Sequence, residues 1–320
     1  MDDINKRIKE INMAIQDLQI EKQKLISLLP IEEKETKINK IILEKYFEEN
    51  NIDYFIEDDV YLLTDDFGVR IANVKESQEG VNSSIREKFA EKNIEIVTIF
   101  PWHNINKILE FIGYKTNIIP VKRIFARKCE IIEEEINKDV RDFIRENHIL
   151  DYSQIRNKIS AVSLFYNNER VGVSVFIKHG QTNNVAELKR QVFKDGISVV
   201  GGSSRMISFF EKSHPEINEI ITFSDLDLSG LNVVYNNIGF DLIGIDTDKI
   251  TWYNPELDKK FSNVSLFMVG ADRLLKNDPG YIPYGIGENL PSNQEIVESH
   301  GYLRVYDTGY AKWKKILKNK

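Results

Sequence analysis

One cysteine, Cys129, stands in 320 residues. No internal disulfide can form, and a reducing compartment suits the chain. No apolar run approaches the ~20 residues of a membrane-spanning helix. The N-terminus also lacks the apolar stretch of a signal peptide. Both absences predict a cytoplasmic protein with no membrane partner. Positive charge is not in excess either: 43 Lys and Arg face 50 Asp and Glu, for a formal net charge of −7. That excludes a uniformly basic wrapper of nucleic acid and leaves only local patches to bind it. One patch is Lys122, Arg123, Arg127 and Lys128. The other is the tail with Lys312, Lys314, Lys315, Lys318 and Lys320.

What is present describes a globular protein, with 42% hydrophobic and 29% charged residues. The length predicts two domains and an appendage. Residues 1–30 are the appendage. Ile4, Ile8, Ile11, Ile15, Leu18, Lys22, Leu25 and Leu29 alternate spacings of four and three until Pro30. That is the seam of a coiled coil, so self-association through residues 4–29 is expected. An antiparallel hairpin with the helical pattern of residues 34–49 would bury the same stripe.

The middle segment, residues 31–125, reads as a small α/β unit. VYLLTDDFGVRIANV gives two strands around a turn at Asp65-Asp66-Phe67-Gly68, and IEIVTIF gives a buried strand. Between them the stretch near Ser83–Lys92 is helical. PWHNINKILEFIGY starts another helix, with Pro101 near its first turn. Residues 126–320 read as a larger mixed sheet. AVSLFYNNERVGVSVFIKHG is a hairpin around Asn167-Asn168, GISVVGGSSRMISFFEK is strand, glycine turn and helix, and FSDLDLSGLNVVYNNIGF is again strand, turn and helix. The predicted class is α/β in the broad, α+β sense.

The order of elements in the middle segment, with VTIFPWHNINKI as its third strand and helix, resembles Vsr-like nuclease domains of the PD-(D/E)XK class. That resemblance implies acids that hold a divalent metal to activate water against a phosphodiester. Asp65 or Asp66 would be the first acid. The next strand carries Ala72 and Asn73 where the second acid belongs, so the site is degenerate and a divalent metal is not expected. Asp65 and Asp66 also fit an ordinary turn. His103 is either a ligand or phosphate contact, or an inert, partly exposed residue.

The pieces RKCEI, ENH, ELKR, VVGGSSRM, FSD, YNNIGF and YDTG resemble, in this order, phage proteins that fuse a Vsr-like domain to a GNAT-like domain and are described as homing-endonuclease-like. On this branch the chemistry resembles that of Mom-related enzymes, which modify adenine in DNA. The resemblance implies a DNA partner, other phage proteins as partners, acyl-CoA as donor, and Arg190, Asp225 and Tyr235 as catalytic residues. Gly201, Gly202, Ser203 and Ser204 would bind the donor, although the leading Arg or Gln of the usual loop is absent. His148, Lys122, Arg123 and Arg127 would contact substrate.

The residue chemistry reads the same way by itself. Asp225 ends an apolar strand, where α/β sheets form ligand crevices, and a carboxylate there can take a proton from an amine. Tyr235 can give a proton to a leaving thiolate. Arg190 can hold an anion or pair with Asp225. Ser203 or Ser204 can cap the helix that follows the glycine turn. Competing structural readings are a turn or capping role for Asp225, a core position for Tyr235, an Arg190–Glu187 ion pair, and a helix-end role for His148. Asp227 reads as a turn acid. Three functions follow: a GNAT-like group transferase acting on DNA, a non-catalytic DNA-binding or interaction protein, and a metal-dependent endonuclease.

Overall fold

The computed structural model describes residues 34–150, 158–180, 184–229, 234–247, 249–283 and 291–317. The heptad seam at residues 4–29 lies outside them, as do Lys318 and Lys320 of the basic tail.

The chain is a mixed α/β protein. Helix α1 (Lys34–Glu49) leads into strands β1 (Phe55–Glu57), β2 (Val60–Thr64) and β3 (Phe67–Ile71). Helix α2 (Val81–Glu91) then crosses to β4 (Glu95–Ile99), which pairs parallel with β3 in the order β1-β2-β3-β4. Helix α3 (Ile105–Lys115) follows. It starts beyond Pro101, because Asn104 caps it by accepting the Lys107 N–H at 3.4 Å. Leu43, Phe47, Val69, Val97, Ile99, Ile108 and Ile112 close the core of this unit.

Strand β5 (Lys122–Phe125) leaves the first sheet and pairs parallel with β10 (Ile197–Val200). Next come β6 (Glu130–Glu134), α4 (Lys138–Asn147), β7 (Lys158–Tyr166), β8 (Glu169–Lys178) and β9 (Val185–Phe193). The β7–β8 hairpin turns on Asn167 and Asn168, both at positive φ (51° and 63°), as their short polar side chains permit. After β10, helix α5 (Gly202–Ser213) leads to β11 (Glu219–Asp225), α6 (Val234–Asn237) and β12 (Asp241–Asp246). Three more strands, β13 (Ile250–Asn254), β14 (Lys259–Ser262) and β15 (Leu303–Tyr306), form a small sheet of their own. It is backed by α7 (Asn263–Val269), α8 (Ala271–Leu275) and α9 (Asn293–Ser299) around the buried Trp252. The last strand, β16 (Tyr310–Ile316), returns to the main sheet.

Among the described residues the main sheet runs β12-β16-β11-β9-β8-β7-β6, with β9 in the centre. Helices cover its two faces unequally. Helix α5 packs Met206, Ile207 and Phe210 on one face, against Val162, Leu164, Leu188, Ile220 and Trp313. Helix α4 packs Val140, Phe143 and Ile144 on the other, against Ala161, Val173, Val175 and Val192. It reaches only as far as β9. Beyond β9, the face that carries Phe223 is left more open, with Phe223 itself 36% exposed.

Gly309 joins β15 to β16 at φ +86°, where a Cβ would lie 1.8 Å from the Asp246 carbonyl oxygen. Alanine there combines a strained backbone with a clash against main chain. Gly309→Ala is expected to cost well over about 1 kcal/mol, read as a lower urea midpoint at unchanged m-value. The same change at Gly244, whose added Cβ meets nothing within 4 Å, is the control.

Candidate active site

The site begins where two parallel strands stop pairing. β9 and β11 are in register at Val185–Glu219, Ala186–Ile220 and Glu187–Ile221, and no further. The next carbonyl of β9, that of Leu188, accepts the Thr222 hydroxyl at 2.9 Å instead of a strand N–H. On its other side β9 carries a bulge: Leu188 pairs with Phe176 and Arg190 with Val175, so Lys189 is the extra residue. A bulge bends its strand and increases twist. The two strands therefore diverge toward their C-terminal ends, each still held by its outer neighbour. A crevice of about 1380 Å³ fills the gap, above the ~300–1,000 Å³ of an ordinary small-molecule site.

The crevice passes through the sheet. Leu188 belongs to the α5-side core and Val192 to the α4-side core. The bulge thus puts Arg190 on the α4 side, in phase with Val192. Ile220 faces α5, and the Ser224 hydroxyl accepts the Trp313 indole N–H at 2.9 Å within the same layer. By alternation Phe223 and Asp225 point to the α4 side. Tyr235 sits on the α5 side, against Phe240 and Trp313 (ring centroids 5.6 and 5.9 Å). Arg190, Asp225, Tyr235, His148 and Ser203 all line the crevice. The catalytic trio read from sequence is brought together there, with Asp225 and Tyr235 approaching the gap from opposite faces.

Burial sets the charge states. It raises the Asp225 carboxyl above the usual carboxylate range, although the Asp227 backbone N–H, Lys249, Lys260 and Arg190 pull the other way. Burial also raises the Tyr235 hydroxyl above 10.0, so at neutral pH it remains protonated. His148 caps the C-terminus of α4 and its Nδ1 accepts the Leu150 N–H at 3.0 Å. Burial holds its pKa down to about 4, so it is neutral and gains nothing as a cation from the helix end.

Two acids that sequence reasoning did not place join Asp225. Asp227 lies in the turn expected of it, but buried; its Oδ1 accepts the Thr308 N–H at 3.0 Å and the Thr308 hydroxyl at 2.6 Å. Asp307 is buried beside it, with Oδ1 accepting the Gly309 N–H at 2.9 Å. Burial pushes Asp307 up to about 7, with Asp225 adding to the rise and Lys249 opposing it. Asp307 is 80 residues from Asp227 in sequence, and nothing local in YDTG showed that the two would meet.

The other expected residues fall elsewhere. Gly201 at φ +77° is the N-cap of α5, with no side-chain cap. Ser203 is buried in the first turn and Ser204 beside it does not cap the helix; the left-handed cap conformation explains the glycine, and the serines are not needed for it. Gly202 is helical, and a Cβ on it would press to 2.6 Å from the Phe193 ring. Lys122, Arg123 and Arg127 are exposed outside the crevice, on β5 and the turn after it. They flank the start of α5, whose Arg205 donates to the Ala126 carbonyl. Asp65 and Asp66 lie in the exposed β2–β3 turn, where Asp66 accepts the Thr64 hydroxyl at 2.7 Å. Among the described residues no group of three His, Cys, Asp or Glu side chains is placed to hold a metal ion. His103 is half-buried as a residue, with its side chain only 6% exposed; Nδ1 accepts the Phe100 N–H at 3.2 Å, and burial holds its pKa down to about 3. Glu187 pairs with Lys189 at 2.9 Å, while Arg190 donates to the Lys189 carbonyl at 2.8 Å.

No protein-family model matches the chain, and no curated protein matches it. Solved structures resemble part of it in fold. An acetyltransferase of Bacillus subtilis in complex with CoA is 12% identical, covering 60% of this chain and 100% of that one, with a TM-score of 0.34. A GNAT family acetyltransferase of Elizabethkingia anophelis with acetyl-CoA bound is 13% identical, covering 59% and 99%, with a TM-score of 0.28. The ribosomal-protein-S18-alanine N-acetyltransferase of Escherichia coli is 9% identical, covering 41% and 88%, with a TM-score of 0.31. Overlays this loose establish neither family membership nor activity.

Asp307 provides a pH test. Its folded pKa of about 7 lies above the ordinary 3.8. Between those values the folded state binds more protons than the unfolded one, so this group's contribution to stability falls as pH rises. His103 and His148, whose pKa values are lowered, act in the opposite sense below 6.5. The difference between variants cancels the histidines and reads Asp307 together with its effect on Asp227, which Asp307 raises in the same sense. Asp307→Asn is expected to gain thermal stability relative to wild type as pH is raised from about 4 to about 8, measured by paired melting curves.

Proposed function

We propose that residues 126–320 form a GNAT-like transferase unit, that residues 31–125 form a degenerate Vsr-like unit docked on it, and that the site moves an acyl group from a thioester to an amine. The observation that carries this reading is the split between β9 and β11, which gathers a base, an acid and a guanidinium around one passage. Asp225, with its carboxyl pKa raised by burial, takes a proton from the amine as the C–N bond forms. The C–S bond breaks, and Tyr235, protonated at neutral pH, gives its proton to the departing sulfur. Arg190 draws charge toward both groups from the β9 side.

The residues present suit an acyl-CoA donor. Among the described residues the inner edge of β9 beyond Leu188 has no strand partner, and unpaired strand edges take up extended, amide-bearing ligands. Ser203 brings the start of α5 into the crevice wall, and the free backbone N–H groups of a helix's first turn attract phosphates. Arg123 and Arg127 stand near that end to meet charge in solvent. The missing Arg or Gln of the usual loop leaves the backbone as the main anion contact.

DNA is the acceptor class the resemblance implies. It is supported by Phe223 and Tyr310 at the Asp225 end, edge to face at 5.3 Å, with Lys312 and Lys249 over their rings at 5.9 and 5.6 Å. Aromatic rings flanked by cations stack bases and meet phosphates. A second reading, binding to DNA without catalysis, is favoured by the exposed run Lys122, Arg123, Arg127 and Lys128 around the 47%-exposed Phe125. Self-association through residues 4–29, partner proteins in a phage complex and a place in the host cytoplasm belong to the same proposal.

Calorimetric titration with acetyl-CoA is expected to show one site. Mass spectrometry of oligonucleotides and small amines incubated with it is expected to show an acyl adduct. Asp225→Ala should slow transfer by about 100-fold or more and Tyr235→Phe by about 10-fold or more, with donor affinity kept. DNA binding that is undiminished in both variants, with no acetyl-CoA heat and no adduct in the wild type, would select the second reading.

A further inference from the structure

The segment Asp225-Leu226-Asp227-Leu228 joins the two units of the chain. Leu226 is buried in the α5-side core of the large sheet, and Leu228, two residues on, in the core of the N-terminal unit with Leu43, Phe47 and Tyr61. Asp227 lies between them and is bound from three sides. Its carbonyl accepts the Thr98 N–H of β4 at 2.6 Å, on the edge of β4 that among the described residues has no strand beside it. Its Oδ1 holds Thr308, and its Oδ2 faces His103 Nε2 at 4.0 Å. Its own N–H donates to Asp225 Oδ1 at 2.9 Å. Leu226 N–H bonds the Gly309 carbonyl at 3.0 Å, which ties the same turn to the head of β16.

We propose that Asp227 is a positioning residue for the Asp225 base, and that through it the N-terminal unit, by way of Thr98 and His103, forms part of the active centre. This rests on the transferase reading above. Leu226 and Leu228 alone would hold the turn in place. They do not require a carboxylate at 227, buried at 4% exposure with two donors on one oxygen. That placement costs desolvation. In return the Asp227 N–H is fixed in line with one Asp225 oxygen, which leaves the other for substrate. The groups that face the Asp225–Asp227 pair come from every element around it. They are Arg190 of β9, Lys249 before β13, Lys260 of β14, Asp307 before β16, and His103 between β4 and α3. Asparagine at 227 keeps the oxygen that Thr308 needs. Alanine leaves Thr308 unpaired and opens the wall to water. Loss of His103 opens the same wall from the N-terminal side.

The test follows the Asp225 carboxyl directly, so that it does not depend on turnover. The full chain is labelled with 13C at aspartate carboxyls and titrated by NMR, with Asp225→Asn fixing the assignment. Asp227→Ala and His103→Ala are each expected to move the Asp225 midpoint by at least half a pH unit (~3-fold in proton affinity), and Asp227→Asn by less. Where acyl transfer is measured, kcat should fall about 10-fold or more in Asp227→Ala. KM for acetyl-CoA should stay within twofold, and Asp227→Asn should restore most of the rate. If Asp227→Ala does not fold, His103→Ala and Asp227→Asn carry the same titration. An unmoved Asp225 midpoint in both His103→Ala and Asp227→Ala overturns the inference. Absence of transfer in the wild type, with the midpoints shifting as stated, overturns the transferase reading and leaves the coupling standing.

Discussion

The three-residue limit on pairing between β9 and β11 is the constraint on which the site depends. Two parallel strands would ordinarily continue their ladder. Here Thr222 takes the Leu188 carbonyl and Lys189 bulges toward the outer side, so continuation is blocked from both partners. Each strand survives because its other edge is satisfied: β8 holds β9 and β16 holds β11 through Asp225. A central gap is tolerated because the cost of unpaired backbone falls only on the two inner edges, which border open space and can be met by water or ligand. The same bulge sets which side chains reach that space. Without Lys189 as the extra residue, the alternation would place Arg190 toward the α5-side core with Leu188, and the guanidinium would be lost to the site.

The second structural feature is the docking of a separate α/β unit against the far end of that gap. The contact is short in sequence and mixed in character. Leu226 and Leu228 supply apolar burial into two different cores, on the order of 1.5–3 kcal/mol each when fully buried. The polar residue between them must then be satisfied, and the bonds from Thr98 and Thr308 do this. A second junction, from Asn82 to the Tyr306 carbonyl at 2.5 Å and from Tyr306 N–H to the Ser77 carbonyl at 2.9 Å, fixes the same unit against β15. With the shared cluster of Ala72, Val74, Phe100, Tyr253 and Val305 and the Lys107–Asp195 pair at 2.8 Å, these contacts set an orientation, where one alone would allow pivoting.

Local sequence chemistry reveals much of this and long-range pairing hides the rest. FSDLDLSGLNVVYNNIGF reads as strand, turn and helix because an apolar run ends in acids and closes at Gly239, which sits at φ +85°. The paired Asn residues of the β7–β8 turn and the glycines before α5 are equally local signals. Asp225 and Tyr235 line one crevice because a strand end and the helix after it stay close in an α/β unit, whereas Arg190 reaches it from the neighbouring strand. The bulge that orients Arg190 is not encoded by any single residue type. Asp307 is invisible because its meaning comes from partners across the fold, and His103 could be singled out but not joined to Asp227 for the same reason. The serines after Gly201 show the reverse error. Residue preference suggested a side-chain cap where backbone conformation had already made one.

The placement of charge has a physical logic that ties these parts together. In the proposed transfer a base and an acid must hold opposite protonation states at the same pH, and burial raises the pKa of both a carboxyl and a phenol. For Tyr235 the direction is the useful one, since it keeps the proton in place. For Asp225 it is useful only within limits, because an acid raised too far would be protonated and inert as a base. Arg190, Lys249 and Lys260 pull it back, and the Asp227 N–H adds a directed bond to the charged form. Asp227 and Asp307 absorb protons instead, both raised by burial and by neighbouring carboxylates. Three acids cannot all ionise cheaply in one buried cluster. Asp227 is raised well above the usual carboxylate range by burial and its neighbouring carboxylates, against the opposing bonds from Thr308. At Asp225 the Asp227 N–H and the cations Lys249, Lys260 and Arg190 oppose the rise that burial causes.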